Sequence, residues 1–461
     1  MNHKEPEKLR ERIITGSIVE TLLKLSYPLI FINLIHVIYN LTDTFWLGKL
    51  GRAAVSAPTV SWPIIWTVMS LGMGFSVAGF AFISQYAGAG KWDQVKRNIG
   101  NLFSILFIFS LIFAIITIIL APYILKLLGT PKDTYKGALT YLRVMFVGIP
   151  FSFGGFAFSF SLRALGDTTT PTKINSVGII LNMILDPILI LGLGPIPKMG
   201  VLGAAIATIF SSTVATLLGF RLIFAGKVGI KFSLHDFKPD WKLFKKYFTV
   251  GLPASIGQSL NSFGFVVLMS IVSHFGSVAI AAYGIGQRII NLIFTVSDGI
   301  SQAMATMVGQ NIGAKNFNRT AQIVKKSLLI NIVFISLPAL VIFLLRNSIY
   351  GLFLKDTLVI KEGSLFYTYF LISMPFFGIF AIYTQVLRTA GKTKESMFLG
   401  LVRLWGFRLP LAYFLSNILG SRGIWIGMCI SNIFGAFISY LWYRKGTWKE
   451  SLVEEQSSSS S

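Results

Sequence analysis

Residues 19–47 read VETLLKLSYPLIFINLIHVIYNLTDTFWL. After Lys24 no charged side chain appears until Asp43. At about 1.5 Å per residue, such a run crosses a ~30 Å hydrocarbon layer as one helix. Near its end it carries a carboxylate, which costs roughly 2.5–3.5 kcal/mol at membrane depth on the mildest insertion scale. Something must offset that cost, and an ion site, a proton relay or a substrate partner does so. Asp186 and Asp298 pose the same problem in later apolar segments.

The whole chain has this character. Of 461 residues, 54% are hydrophobic and 13% charged, and the mean hydropathy is +0.69. A soluble domain averages about 25% charged residues. Twelve spans are expected, at 19–47, 54–86, 98–120, 138–162, 172–193, 202–224, 244–273, 278–310, 327–345, 364–387, 396–418 and 423–443. Residues 1–16 are charged and precede no short apolar run with a small-residue cleavage site, so a retained first span is expected rather than a cleaved leader. Cys429 excludes an intrachain disulfide and reads as a small packing residue. Four scattered histidines predict no metal cluster. The run Ser457 to Ser461 resembles a linker and is set aside.

The net charge of +23 follows the loops. With the N-terminus inside, Lys and Arg concentrate on the inner connections, including Lys91, Lys96 and Arg97, the stretch from Lys227 to Lys246, and Arg444, Lys445 and Lys449. The charge is therefore a topology signal and not a nucleic-acid footprint. Both termini are expected in the cytoplasm, and the protein in the cell membrane. The polar stretch 226–243 divides the chain, and its aromatic residues suit a segment lying on the inner interface. No phosphate-binding Gly-rich loop followed by Lys–Ser/Thr is present, so ATP is not the expected energy source, and no catalytic constellation marks an enzyme.

A constant shift of 225 lays the second half on the first. Pro28 falls on Pro253, Gly51 on Gly276, Gln85 on Gln310, Pro150 on Pro375, Arg163 on Arg388 and Gly166 on Gly391. Near the end the shift slips to 223, matching Gly200 to Gly423. Six spans separate equivalent positions, so both halves run the same way through the membrane, as a parallel repeat. The expected fold is all-α: two pseudo-symmetric six-helix bundles around a central cavity. The organisation is a segment 1–18, a lobe 19–225, a linker 226–243, a lobe 244–443 and a tail 444–461.

The acids break this symmetry. Asp43 falls on Leu268, Asp186 on Leu411, and Asp298 on Met73. Asn33, His36, Asn40 and Asp43 follow i, i+3, i+7, i+10 and share a helical face, with Tyr39 one turn before Asp43. Asn182 and Asp186 are an i, i+4 pair followed by Pro187. Asp43 and Asp186 both fall in the outward half of their spans. Two buried carboxylates can take up and release a proton; with Asn182 and Thr208 or Thr213 they can instead form an all-oxygen site for Na+. These residues can also simply hydrogen-bond across helices. Asp298 reads either as a cavity-lining acid or as a partner of Arg403 or Arg408, two deep arginines that pair, snorkel or line the cavity. Pro28 bends the first span and is a static kink or a hinge.

Four runs carry a resemblance: YNLTDTFWLG at 39–48, QYAGAG at 85–90, LRALGDT at 162–168 leading to Pro171, and NMILDP at 182–187. Together they resemble the multidrug and toxic compound extrusion family, in its prokaryotic DinF-like branch and its archaeal part, over nearly the whole chain. The resemblance implies two six-helix lobes and export of organic cations or amphiphilic drugs in exchange for H+ or Na+. It implies that Asp43 and Asp186, with Asn182 and Tyr39, form the coupling-ion centre of the N-terminal lobe, and that Pro28 is the bending proline. It implies no cofactor beyond the coupling ion, a monomer, and small-molecule and lipid partners. Ala204 and Ala205 stand where some relatives place a threonine near the ion. Two other readings compete: a lipid-linked oligosaccharide flippase of the same superfamily, usually with more spans and a basic cavity, and a channel without coupling.

Overall fold

The computed structural model describes residues 4–453 except 228 and 230, and these are almost wholly helical. The run Ser457 to Ser461 lies outside the described residues. A short helix α1 (Lys4–Thr15) precedes α2 (Ile18–Gly48), α3 (Arg52–Gly88), α4 (Trp92–Leu127), α5 (Lys132–Leu165), α6 (Thr169–Leu191) and α7 (Val201–Phe224). The second series is α8 (Trp241–Ser273), α9 (Gly276–Gly313), α10 (Phe317–Leu344), the short α11 (Arg346–Phe353), α12 (Thr357–Phe370), α13 (Met374–Thr389), α14 (Thr393–Leu401), α15 (Leu409–Leu419) and α16 (Ser421–Arg444). α12 and α13 form one span, as do α14 and α15. Among the described residues twelve helices are long and apolar enough to cross a membrane. The chain is a multi-pass membrane protein with the expected all-helical fold.

Several helices outrun their apolar windows. α4 is 36 residues long and opens with Asp93, Lys96 and Arg97. The helix continues past the hydrocarbon because its own ladder satisfies the backbone. Phe107, Leu111 and Ile115 on α4, and Leu329, Val333 and Leu337 on α10, are large apolar side chains left exposed at four-residue spacing. That face is suited to lipid.

The chain divides into two compact units, one of residues 1–12 and 31–255, the other of 13–30 and 256–461. Neither boundary falls in the linker. One lies inside α2, between Ile30 and Phe31; the other lies inside α8, between Ser255 and Ile256. Each follows within three residues of a proline inside its helix, Pro28 and Pro253, where a backbone hydrogen bond is lost and a helix bends. Packing thus divides the chain inside two proline-containing helices.

In the first unit α5 packs on α3, α4 and α7, and α6 packs on α7; in the second, α13 packs on α9, α10 and α16, and α15 packs on α16. The shift of 225 holds through the ends of α2 and α8 and of α3 and α9, and through the starts of α4 and α10. Later the register changes. A Cβ on Gly203 would meet the Leu189 carbonyl at 2.4 Å, and one on Gly423 would meet that of Leu415 at 2.1 Å, which shifts Leu189 to Leu415 by 226. Gly200 and Gly420 cap α7 and α16 with φ of 59° and 64°, a shift of 220. Gly200 therefore corresponds to Gly420 and not Gly423, and Asp186 to Ala412 and not Leu411. A π-helical segment, Val402–Arg408, adds one residue, and the 192–200 connection shrinks to Gly420 alone.

Residues 232–240 are pinned to α4. Lys96 Nζ lies 2.9 Å from Asp236 Oδ2, Arg97 pairs with Asp240, and the Asp240 N–H donates to Asn101 Oδ1 at 2.7 Å. Phe237 packs against Phe103, Phe224 and Phe232. Burial works against ionisation of Asp236 and Asp240. The hydrogen bonds from Lys96 and Ser233 to Asp236, and from Arg97, Leu243 and Lys242 to Asp240, outweigh it and hold both below the ordinary carboxylate range. With native values depressed, their contribution is present above the unfolded value of about 3.9 and is lost as pH falls through the native ones.

Two outcomes are expected. Hydrogen-exchange protection across 231–240 holds near neutral pH and falls below about pH 3.9, while Asp236→Asn lowers it already at neutral pH. A Cβ at Gly74 would sit 2.5 Å from the Ser255 backbone nitrogen, whereas one at Gly48 meets nothing within 4 Å. Gly74→Ala should therefore cost about 1–3 kcal/mol and Gly48→Ala less than about 0.5 kcal/mol, read as thermal unfolding in detergent.

Candidate functional site

Four helices of the first unit bring polar groups to one place. α6 supplies Asn182 and Asp186, one turn apart; α2 supplies Tyr39 and Asp43; α7 supplies Thr208; α5 supplies Tyr141. The approach of α6 and α7 depends on small residues. Gly203 lies against the Leu189 carbonyl, and Ala204, Ala205 and Ala207 are buried beside it. The alanines at 204 and 205 thus close the helix pair, and the hydroxyl comes from the next turn, at Thr208.

Asp186 is fully buried and Asn182 is 3% exposed. With its amide oriented to satisfy both neighbours, Asn182 donates to Asp186 Oδ2 at 3.0 Å, and its oxygen accepts from the Thr208 backbone N–H at 3.0 Å. The Thr208 hydroxyl donates to the Ala204 carbonyl at 3.0 Å. The other carboxylate oxygen, Asp186 Oδ1, is buried without a hydrogen-bond partner. An unmatched buried acceptor is costly, so this atom is where a proton or cation gains most.

Asp43 is half-buried and close enough for its charge to act on Asp186. The Tyr39 hydroxyl lies near the Thr208 side chain, within the field of both acids. Asp43, Asp186, Asn182, Tyr39 and Thr208 therefore come together. Tyr141, 7% exposed, lies in the field of Tyr39, Asp43 and Asp186; the sequence reading missed it. Its only signal was a hydroxyl inside an apolar span.

Other candidates stay outside this group by distance or by exposure. Asn33 is ten residues, about 15 Å of helix, from Asp43. His36 and Asn40 are exposed, and His36 Nδ1 lies 3.0 Å from the Ile32 carbonyl oxygen of its own helix. Thr213 is half-buried, more than a turn beyond Thr208. Asp298, in the second unit, is exposed, accepts from Gln302 Nε2 at 2.5 Å and acts on Arg388. Among the described residues it forms no ion pair with Arg403 or Arg408, because its own helix and Arg388 provide its neighbours. Among the described residues no three His, Cys, Asp or Glu side chains gather as metal ligands; that leaves alkali-cation binding by two carboxylates and neutral oxygens as a separate question.

This chain is similar to "Probable multidrug resistance protein YpnP" of Bacillus subtilis, 29% identical over 94% of this chain and 96% of that protein. It is similar to a "FAD transporter" of Shewanella oneidensis, 27% identical over 94% of this chain and 96% of that one. The fold matches a crystal structure of MATE in the bent conformation, with a TM-score of 0.88, 23% identity and coverage of 96% and 97%. It also matches the Vibrio cholerae MATE transporter VcmN, with a TM-score of 0.87, 25% identity and coverage of 95% and 98%. The family model described as MatE matches twice, over residues 28–188 and 253–414. Each match takes in the first five spans of one repeat, beginning on the equivalent prolines. With both halves matched in this way, the chain belongs to the MatE family.

Proposed function

We propose that this protein is a secondary exporter that moves organic cations or amphiphilic drugs out of the cell in exchange for an inward-moving ion, by alternating access. The observation that carries the proposal is the carboxylate pair, with Asp186 fully buried and its Oδ1 unmatched. Such an acid is costly as a packing element and useful as a reversible ion site. The names of the relatives speak for drugs as cargo. The bias of Lys and Arg toward one set of loops speaks for cytoplasmic termini in a cell membrane.

The unmatched Oδ1 of Asp186 favours H+ as the coupling ion. Asn182 holds the other carboxylate oxygen through its N–H. A hard cation needs a shell of several oxygens. A proton needs a single carboxylate oxygen. Tyr39, Thr208 and Tyr141 then serve to hold and orient the acids, with Asp43 raising the cost of a second negative charge.

The test is efflux of a cationic dye from proteoliposomes under an imposed pH gradient or an imposed Na+ gradient. The pH gradient is expected to drive efflux, and Asp43→Asn and Asp186→Asn to reduce it to the level of protein-free vesicles. Efflux that ignores both gradients and both substitutions overturns the exporter reading; efflux driven by Na+ alone overturns the proton assignment. Asp186→Asn removes a buried charge, so its thermal midpoint should equal or exceed that of the parent. Tyr141→Phe should slow efflux while leaving that midpoint within about 0.5 kcal/mol of stability.

A further inference from the structure

The second unit holds a polar centre of the opposite sign. Arg403 and Arg408 lie near the middle of the span Thr393–Leu419 and are 5% and 3% exposed. Asn432 Oδ1 accepts from Arg403 Nη1 at 3.0 Å and from Arg408 Nη2 at 2.5 Å. Ser431 Oγ accepts from Arg408 Nε at 3.0 Å. Arg403 Nε is buried and has no partner. The Arg403 guanidinium lies over the Phe380 and Phe377 rings, at 4.5 and 5.6 Å, which softens one charge without neutralising it. Among the described residues no ion pair joins either guanidinium to a carboxylate. Two like charges thus share one neutral oxygen, with their side chains largely buried.

The backbone is built to make this happen. In an α-helix residues five apart point about 140° from each other. The π-helical segment Val402–Arg408 closes its hydrogen bonds from i to i+5 and brings Arg403 and Arg408 toward one face. α16 makes room for them: a Cβ on Gly435 would meet Arg403 Cδ at 2.5 Å. In the first repeat the corresponding contact is between two small residues, Gly178 and Ala215. By the register past the π segment, Arg408 stands where the first repeat has Asn182, and Ala412 where it has Asp186.

The geometry points to an oxyanion site in the second unit, in which Arg403 and Arg408 hold a phosphate monoester through their guanidinium N–H groups while Ser431 and Asn432 steer them. Guanidinium forks match phosphate oxygens two by two. A phosphate monoester carries about −1.5 to −2 charges near neutral pH and balances both arginines, whereas one carboxylate balances only one. The phosphate comes either from solution or from a lipid headgroup. The site shares no residue with the carboxylate pair and does not depend on the exporter reading.

Binding is read as the thermal unfolding midpoint of the full chain in phosphatidylcholine nanodiscs. Inorganic phosphate is titrated in one arm, and phosphatidic acid is added to the bilayer in the other. A rise confined to phosphatidic acid identifies the lipid source; a rise with inorganic phosphate identifies the soluble one; no rise in either arm overturns the site. Arg403→Gln and Arg408→Gln should each need at least about tenfold more ligand for the same rise. Asn432→Asp is the second variant, because it places a carboxylate between the guanidinium groups. It should raise the midpoint without ligand and abolish the response. A response in Asn432→Asp or in the folded Gln variants equal to that of the parent overturns the proposal.

Discussion

Inside a bilayer a polar group has no water to fall back on, and that constraint organises this protein. It makes the backbone helical along every span and limits any buried charge to partners on its own or an adjoining helix. The partners are few and local. Asp186 has Asn182 and the reach of Tyr39 and Asp43; Arg408 has Ser431 and Asn432. In both repeats the helix that carries the charge packs on the following helix through glycine, at Gly203 and Gly423. Without that close approach neither set of donors and acceptors would meet.

One frame therefore serves two chemistries. The duplicated bundle keeps its main helix contacts, the proline pairs Pro28/Pro253 and Pro150/Pro375 and its glycine seams, and changes which charges its equivalent helices carry. α6 presents an acid beside an amide; its counterpart presents two bases. A single added residue, absorbed as a π turn, is enough to realign the second helix so that both bases share a face.

Much of this was legible in the sequence because it rests on period and hydropathy. The twelve spans, the shift of 225 and the asymmetry of Asp43 and Asp186 follow from residue type and spacing alone. What was hidden has no hydropathy signature. A one-residue insertion inside an apolar helix leaves the window as apolar as before, so Leu411 stood for Ala412 as the counterpart of Asp186. Tyr141 reads as one more aromatic residue in a span rich in them. Charge alone leaves Asp298 as a cavity-lining acid or a partner of Arg403 or Arg408, whereas Gln302 donates to it and its charge acts on Arg388. The loop between α15 and α16 is so short that a match by residue type alone pairs Gly200 with Gly423 rather than with Gly420.

Residues 13–30 pack with the second unit, where Ile13, Leu22 and Leu25 join a buried cluster with Met304, Ile312 and Val386. The ribosome makes this segment first and its companions last. At roughly 5–20 residues per second, about 14–54 s pass between the emergence of Ile30 and that of its neighbours near residue 300. During that interval the apolar face of the first half-span has only lipid or foreign helices to cover it. Biogenesis of this fold thus includes an obligatory wait, in which an inserted helix is held unfinished until the far end of the chain arrives to claim it.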